Sequence, residues 1–217
     1  MTTDLFACLL QSRQSREEMA DGAVLLRGFV GVDEAELIVA LREIVARAPF
    51  RRMFTPGGHQ MSVAMTNCGS AGWVTDRSGY RYSPDDPETG KPWPAMPPVL
   101  RALADRAATS GGFAGFAPDV CLINRYVPGA KMSLHQDKDE LDFAAPIVSV
   151  SLGLPAIFMF GGLKRSDKPQ RFRLEHGDVA VWGGPSRLFY HGVAPLAEGD
   201  HPAMGPQRLN LTFRKIR

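Results

Sequence analysis

A metal-binding pattern stands at His135-Gln136-Asp137, where an imidazole and a carboxylate are two residues apart. Side chains of an extended chain alternate between its faces, so both groups point the same way and can share one ion. Taken alone, the pair is equally typical of a hydrogen-bonded pair at a strand end. The other histidines are candidates for a third ligand: His59, His176, His191 and His201. His191 is best placed, because LFYHGV is a β-rich segment, and two histidines with one carboxylate suit non-haem Fe(II) oxygen chemistry.

A candidate anion site lies in the run RLNLTFR over residues 208–214, where polar and apolar side chains alternate with a period of two. One face carries Arg208 and Arg214, separated by roughly 20 Å at about 3.3 Å per residue. The pattern is typical of a half-exposed edge strand with solvated arginines. It also fits a binding site, because guanidinium groups bind carboxylates bidentately and the two arginines could address both ends of a small dicarboxylate.

The elements that must carry these residues are mainly β-strands. Eight short runs separated by Gly or Pro follow Val120: residues 120–127, 131–137, 146–154, 156–162, 171–178, 179–184, 187–193 and 207–214. Such a series predicts an antiparallel sandwich or barrel. A jelly-roll (cupin-like) core is the leading architecture. An immunoglobulin-like sandwich is the competitor, but it offers no reason for the histidines.

Two helices are predicted upstream of these strands. Residues 33–48 open with Asp33 and Glu36 in capping-box spacing. The second helix runs from about Pro98 to Ser110, with proline at its start and glycines at its end. We therefore expect one α+β, mainly β domain over residues 1–217, in which two helices cover a core at about 120–214 and residues 50–94 form turns and short strands.

Composition excludes several classes of protein. The 217 residues carry 25 Lys+Arg and 23 Asp+Glu, a net charge of +2, so a nucleic-acid substrate is permitted but not indicated. Three cysteines without a close pair argue against a disulfide framework and a CxxC zinc site. The uncharged stretch 143–163 contains Pro and Gly and predicts two buried strands rather than a membrane helix. The N-terminus has an acid where an export signal needs positive charge, so we expect a cytoplasmic protein.

Several longer runs carry a resemblance to a known family. They are CLINRYVPGAKMSLHQDKDE, PIVSVSLGLPAIFMFGGLKR, HGDVAVWGGPSRLFYHGV and RLNLTFR, with PFRRMFTPGGHQMSVAMTNCG and GWVTDRSGYRYSPDDP upstream. Together they resemble the AlkB family of Fe(II)/2-oxoglutarate-dependent nucleic-acid dealkylases, in its bacterial type. The likeness covers about residues 22–214 and is weakest in the first twenty residues and at 197–207. His59 departs from the pattern, which has a tyrosine there.

The resemblance implies an iron and cosubstrate site. His135, Asp137 and His191 would bind Fe(II), and 2-oxoglutarate and O2 would be the cosubstrates. Arg214 would pair with the far carboxylate of 2-oxoglutarate and Arg208 with the carboxylate next to the keto group. Further cosubstrate contacts would come from Asn124, Tyr126 and Asn210.

The resemblance also makes residues 50–94 a nucleotide-recognition lid. Trp73 would stack on an extruded base against His135, and Tyr80 would touch the nucleic-acid backbone. The other implied substrate contacts are Met61, Asp139 and Arg165. Glu140, like Asp139, is open to two readings, a contact to the base or simple solvation, and Trp93 is interpreted as a core residue.

The function implied is oxidative demethylation of N-methyl lesions on Watson–Crick positions, with release of formaldehyde, succinate and CO2. The partner would be single-stranded or locally opened double-stranded DNA, with RNA as a further candidate, and we expect a monomer without an obligate protein partner or membrane. A 2-oxoglutarate-dependent hydroxylase of a small molecule or protein is the alternative. A non-enzymatic nucleic-acid-binding module with a vestigial iron site is a third hypothesis, against which the complete triad and both arginines speak.

Overall fold

Thirteen strands and two α-helices make up residues 15–217, the part of the chain that the computed structural model describes. The expectation that the N-terminus lacks an export signal, and the third cysteine Cys8, lie outside these residues. In chain order the strands are β1 (Ser15–Ala20), β2 (Ala23–Arg27), β3 (Ala64–Gly69), β4 (Gly72–Asp76), β5 (Gly79–Ser83), β6 (Val120–Tyr126), β7 (Met132–His135), β8 (Ile147–Gly153), β9 (Ala156–Phe160), β10 (Gln170–Leu174), β11 (Val179–Trp182), β12 (His191–Val193) and β13 (Arg208–Arg214).

Two antiparallel sheets form the core. The larger has the order β1-β2-β11-β8-β13-β6-β3 and the smaller has the order β10-β9-β12-β7. The eight strands predicted after Val120 are β6 to β13, and they contribute four adjacent strands to each sheet. A buried apolar layer that includes Phe158, Phe160 and Trp182 lies between the sheets. The jelly-roll prediction is therefore confirmed, and the immunoglobulin-like alternative is not.

Both predicted helices are present and cover the outer face of the larger sheet. Helix α1 is Glu34–Arg47 and helix α2 is Pro98–Ser110. Each has one apolar face, which packs in a second buried layer with residues of β8, β11 and β13. The buried positions are Leu37, Ala40, Leu41 and Ile44 in α1, and Leu100, Leu103, Ala104, Ala107 and Ala108 in α2.

The predicted capping box at the start of α1 is wrong. A 3-10 turn at Gly31–Asp33 precedes the helix, so Asp33 has helical backbone angles of φ −79° and ψ −6° and makes no side-chain cap. An N-cap residue needs an extended conformation to fold its side chain back onto the helix. The Asp33 carboxylate instead forms an ion pair with Arg106 of α2, which ties the two helices together.

Three strands differ from the sequence prediction in ways that affect the site. β13 is not an edge strand: it lies between β8 and β6, and all seven of its residues are buried. β7 ends at His135, so Asp137 follows the strand instead of belonging to it. β12 begins only at His191, since residues 187–190, which the sequence placed in the same strand, form a turn and an irregular stretch.

The uncharged stretch 143–163 forms β8 and β9, as predicted. Within residues 15–217, none of the helices has the length and apolarity that crossing a bilayer requires. Strands β1 and β2 extend the larger sheet beyond β11 and were not predicted. β4 and β5 form a separate hairpin in the predicted lid, and this hairpin contributes directly to the site.

Candidate active site

A cavity of about 610 Å³ opens between the two sheets and beneath the β4–β5 hairpin. It brings together every site residue proposed from the sequence: Met61, Trp73, Tyr80, Asn124, Tyr126, His135, Asp137, Asp139, Arg165, His191, Arg208, Asn210 and Arg214. The remaining histidines, His59, His176 and His201, are not among its lining residues. Of the four candidates for the third ligand, His191 is therefore the one that the fold brings to His135 and Asp137.

The three proposed iron ligands form one cluster. His191 of β12 lies directly opposite His135 of β7 in the sheet register. The Nε2 atoms of His135 and His191 are each 3.8 Å from a carboxylate oxygen of Asp137. One ligand atom from each residue lies within 4.8 Å of the other two, a spacing that allows all three to bind a single ion.

Hydrogen bonds orient both imidazoles toward this cluster. The Nδ1 atoms of His135 and His191 lie 2.9 Å from the carbonyl oxygens of Ser133 and Phe189. A carbonyl only accepts hydrogen bonds, so Nδ1 carries the proton and Nε2 presents a lone pair to the metal position.

Electrostatics keeps the ligands in their metal-binding forms. Burial, reinforced by the neighbouring His135, lowers the pKa of His191 to about 4 and keeps it neutral. Burial alone would raise the pKa of Asp137, but Arg214 and the two histidines hold it well below its usual range. The Asp137 Oδ2 atom is buried without a hydrogen-bond partner in the described chain. Two imidazoles that present Nε2 and a carboxylate with a free oxygen fit Fe(II).

The two arginines of β13 occupy different parts of the cavity. The Nη2 atom of Arg214 lies 2.7 Å from the Oδ1 atom of Asp137, so Arg214 is next to the metal position. Arg208 donates to the Ser151 hydroxyl at 2.9 Å, and its guanidinium lies 5.0 Å from the centre of the Tyr126 ring. Burial lowers the pKa of Arg208 and raises that of Tyr126. Of the two arginines, Arg214 is the one in contact with the proposed metal ligand Asp137.

Unpaired polar atoms mark where a ligand would bind. The Nε and Nη1 atoms of Arg208 and the Oδ1 atom of Asn124 are buried and have no hydrogen-bond partner within residues 15–217. The amide of Asn210, in contrast, is engaged by protein groups: it donates to the Ser149 hydroxyl at 2.8 Å and accepts from Asn124 at 3.2 Å. Asn210 therefore orients Asn124, and Asn124, whose Oδ1 atom has no partner in the described chain, is better placed than Asn210 for a direct contact with the cosubstrate.

The β4–β5 hairpin places aromatic rings at the mouth of the cavity. The rings of Trp73 and Tyr80 are stacked with centroids 5.6 Å apart. The Trp73 indole N–H donates to the Asp139 carboxylate at 2.8 Å, which connects the hairpin to the segment just after the metal ligand Asp137. Tyr80 is 51% exposed, and Met61 and Arg165 complete the nearby wall. The hairpin therefore presents a half-exposed aromatic surface beside the metal position.

Sequence reasoning missed a buried polar network beneath this surface. The Tyr82 hydroxyl donates to Glu140 at 2.5 Å, and Arg187 donates to the other Glu140 oxygen at 3.0 Å. Arg187 also donates to the backbone oxygen of Asp137 at 2.7 Å. Glu140 therefore follows neither reading above, because its side chain is 0% exposed and protein donors engage it. These partners are 58 and 47 residues from Glu140, and no local spacing indicates them.

The residues outside the cavity have structural roles. His176 lies in a turn, where its Nδ1 atom accepts from the Gly153 N–H at 2.9 Å. Its ring stacks on the ring of the half-buried His201, with the two centroids 4.3 Å apart. The core interpretation of Trp93 is confirmed by its 5% exposure. Cys68 and Cys121 are buried free thiols.

A jelly roll with a two-histidine, one-carboxylate cluster at the end of its strands is the architecture of non-haem iron oxygenases, and the comparison with known families agrees. The 2OG-Fe(II) oxygenase superfamily matches residues 22–214. The chain is 60% identical over 212 residues to the alpha-ketoglutarate-dependent dioxygenase AlkB of Escherichia coli, covering 98% of this chain and 97% of that protein. This chain belongs to the AlkB family, and as a member it is an Fe(II)- and 2-oxoglutarate-dependent dioxygenase that uses O2.

More distant relatives share the fold. The DNA N(6)-methyladenine demethylase ALKBH1C of Arabidopsis thaliana is 30% identical over 222 residues, covering 89% of this chain and 48% of that protein. The solved structure of OsALKBH1 superimposes with a TM-score of 0.80 at 29% identity and covers 93% of this chain and 100% of that one.

Proposed function

We propose that this enzyme removes N-methyl groups from Watson–Crick positions of DNA bases, with RNA as a further candidate substrate. The observation that carries the proposal is the aromatic hairpin beside the metal position, where Trp73 and Tyr80 stack at the mouth of the cavity. A methyl group on a pairing nitrogen is inaccessible in a duplex, so the base must be unpaired or extruded. The nucleic-acid activities named for the relatives support the same substrate class.

Each residue of the iron site has a defined task in this reaction. His135, Asp137 and His191 would hold Fe(II) on one face and leave the other positions open for the cosubstrates. The chemistry supplied by bound Fe(II) is hydroxylation of the N-methyl carbon, coupled to conversion of 2-oxoglutarate and O2 to succinate and CO2. The hydroxylated methyl group then leaves the base as formaldehyde. Asp137 is held ionised by Arg214, so it can act as a ligand at every physiological pH.

The two arginines would bind opposite ends of 2-oxoglutarate, in the reverse of the order expected from the sequence. Arg214 contacts the metal ligand Asp137, so it is placed for the carboxylate next to the keto group, which lies beside the metal. Arg208 has two buried nitrogen atoms free of hydrogen bonds in the described chain, and it lies against Tyr126. These free donors suit bidentate binding of the far carboxylate. Asn124 adds a polar contact between the two ends.

The lid would hold the base. The Trp73 ring is fixed by its hydrogen bond to Asp139 and faces the cavity that contains His135. A base extruded into this space would stack between them, and each base–aromatic stack contributes about 1–3 kcal/mol. Arg165 is exposed on the cavity wall, where a cation suits the phosphate backbone. Met61 completes the apolar side of the base pocket.

The finer details of partner and location belong to the same proposal. One copy of the chain supplies every residue named above, so we propose that it acts as a monomer without an obligate protein partner. Its substrate would be single-stranded or locally opened double-stranded DNA, and we propose a cytoplasmic location.

Turnover of a methylated single-stranded oligonucleotide tests the proposal. We expect the iron-loaded enzyme to convert 2-oxoglutarate to succinate faster with the methylated oligonucleotide than with the same oligonucleotide unmethylated, and to release formaldehyde only with the former. Equal, slow succinate formation with both oligonucleotides would contradict the proposal. That result would favour the alternative, a hydroxylase of a small molecule or protein.

A further inference from the structure

The guanidinium of Arg214 lies between two buried carboxylates. Its Nη2 atom is 2.7 Å from Asp137, while its Nε atom is 3.6 Å from the Oε1 atom of Glu140. The longer separation is beyond hydrogen-bond distance, and Nε is a buried donor without a partner in residues 15–217. One donor of Arg214 is thus left free although a carboxylate that could take it is close by.

Two other groups hold Glu140 away from this donor. The Tyr82 hydroxyl donates to Oε1 at 2.5 Å, and Arg187 donates to Oε2 at 3.0 Å. The Tyr82 oxygen also accepts a hydrogen bond of 3.0 Å from the Nη1 atom of Arg214. The hydroxyl therefore lies between the two groups, donating a hydrogen bond to the Glu140 carboxylate and accepting one from the Arg214 guanidinium. Water cannot replace it easily, because the side chain of Glu140 is 0% exposed.

We propose that Tyr82 is a positioning residue for the cosubstrate, which keeps Glu140 from pairing with Arg214 and leaves the Nε donor for a carboxylate of 2-oxoglutarate. The inference rests on the proposed function, in which Arg214 binds the cosubstrate carboxylate beside the metal. Tyr82 belongs to the lid strand β5 and pairs in register with Trp73 of β4. The lid hairpin thus contributes a hydroxyl to the cosubstrate site in addition to the aromatic rings it presents to the base.

The Tyr82→Phe variant tests this inference through cosubstrate binding. Without the hydroxyl, the Oε1 atom of Glu140 loses its donor and forms a hydrogen bond with the Nε atom of Arg214 instead, so that Glu140 competes with 2-oxoglutarate for this group. We expect binding of 2-oxoglutarate to the cobalt(II)-loaded protein, measured by calorimetry without turnover, to weaken about tenfold, as for loss of a hydrogen bond to a charged group. Ser83→Ala is the matched control: it removes a hydroxyl of the same strand that donates to the Asp85 backbone oxygen outside the network, and it should leave this affinity unchanged.

A second substitution separates positioning from simple structural support. Glu140→Gln removes the competing negative charge, so the double variant Tyr82→Phe/Glu140→Gln should bind 2-oxoglutarate to within about threefold of wild type. Glu140→Gln alone should bind it no more weakly than wild type. Thermal denaturation of all variants reports any loss of folding separately.

Two results would overturn the inference: unchanged affinity in Tyr82→Phe, or a loss that Glu140→Gln does not reverse. The Arg214→Ala variant distinguishes these failures from failure of the proposed function. If Arg214→Ala leaves the affinity for 2-oxoglutarate unchanged, the assignment of Arg214 is itself wrong. If Arg214→Ala weakens binding while Tyr82→Phe does not, only the role of Tyr82 is wrong.

Discussion

Replacing each arginine of β13 in turn decides which end of the cosubstrate it binds. The assay compares 2-oxoglutarate with 2-oxobutyrate, a keto acid that has the carboxylate beside the keto group but lacks the far one. Arg208 is 1% exposed and has two free buried nitrogen atoms, so its pair with the far carboxylate would be desolvated. Truncating one partner of such a pair costs about 2–5 kcal/mol. At about 1.4 kcal/mol per factor of ten, Arg208→Ala should weaken 2-oxoglutarate binding at least about 30-fold.

The same variant should bind 2-oxobutyrate as wild type does, because that ligand has no far carboxylate to lose. Arg214→Ala should weaken binding of both ligands, since both carry the carboxylate beside the metal. Affinities for the cobalt(II)-loaded proteins can be measured by calorimetry, with thermal denaturation as the control for folding. The opposite pattern, in which Arg208→Ala weakens both ligands and Arg214→Ala affects 2-oxoglutarate alone, would refute the assignment and restore the order expected from the sequence.

Three further predictions concern the lid, the metal ligands and the buried network. Trp73→Ala should weaken binding of a methylated oligonucleotide by about 1–3 kcal/mol while leaving substrate-independent succinate formation intact. If oligonucleotide binding, succinate formation and the melting temperature all fall together, Trp73 is a core residue instead. The pKa of His191 is lowered from 6.5 to about 4 by burial and His135, so the unfolded chain binds more protons than the metal-free folded protein between these values. The contribution of neutral His191 to the free energy of unfolding of the metal-free protein should therefore be fully present above pH 6.5 and should fall by about 3 kcal/mol as the pH drops to 4. Chemical denaturation of His191→Gln should not show this pH-dependent fall. Arg187→Ala should lower the free energy of unfolding by about 3–5 kcal/mol, because it removes the cation that donates directly to the buried Glu140 carboxylate. A loss below about 1 kcal/mol in urea denaturation would show that this ion pair is dispensable.

Local spacing indicated two of the three metal ligands and the strand that carries the arginines, whereas the third ligand, His191, was selected among four histidines by its β-rich segment. The His135–Asp137 pair and the period of two in residues 208–214 are short-range patterns, and the fold preserves both. The pattern could not distinguish an edge strand from a central one, since burial of β13 depends on pairing with β8 and β6 from elsewhere in the chain. The same limit applies to the order of the two arginines along 2-oxoglutarate that we propose, because it rests on the contact between Arg214 and Asp137, which are 77 positions apart.

Contacts between distant segments account for the features that the sequence did not predict. Tyr82 and Arg187 meet at Glu140 only after the lid hairpin and the turn before β12 have folded onto the metal-binding segment. Asp33 has the residue type and spacing of a cap, but its partner is Arg106 of the neighbouring helix. In each case a tertiary ion pair or hydrogen bond overrides the role that local sequence favours.

The coupling of base repair to cosubstrate consumption is the most direct test of the proposed dealkylation. The iron-loaded protein is mixed anaerobically with 2-oxoglutarate and an N-methylated single-stranded oligonucleotide, O2 is admitted, and formaldehyde, succinate and the mass of the oligonucleotide are measured together. We expect one formaldehyde and one succinate for each methyl group lost, and no repair with His135→Ala, Asp137→Ala or His191→Ala or after replacement of iron by zinc. Repair that persists in any of these variants, or succinate formed with the methylated oligonucleotide left unchanged, would contradict the account.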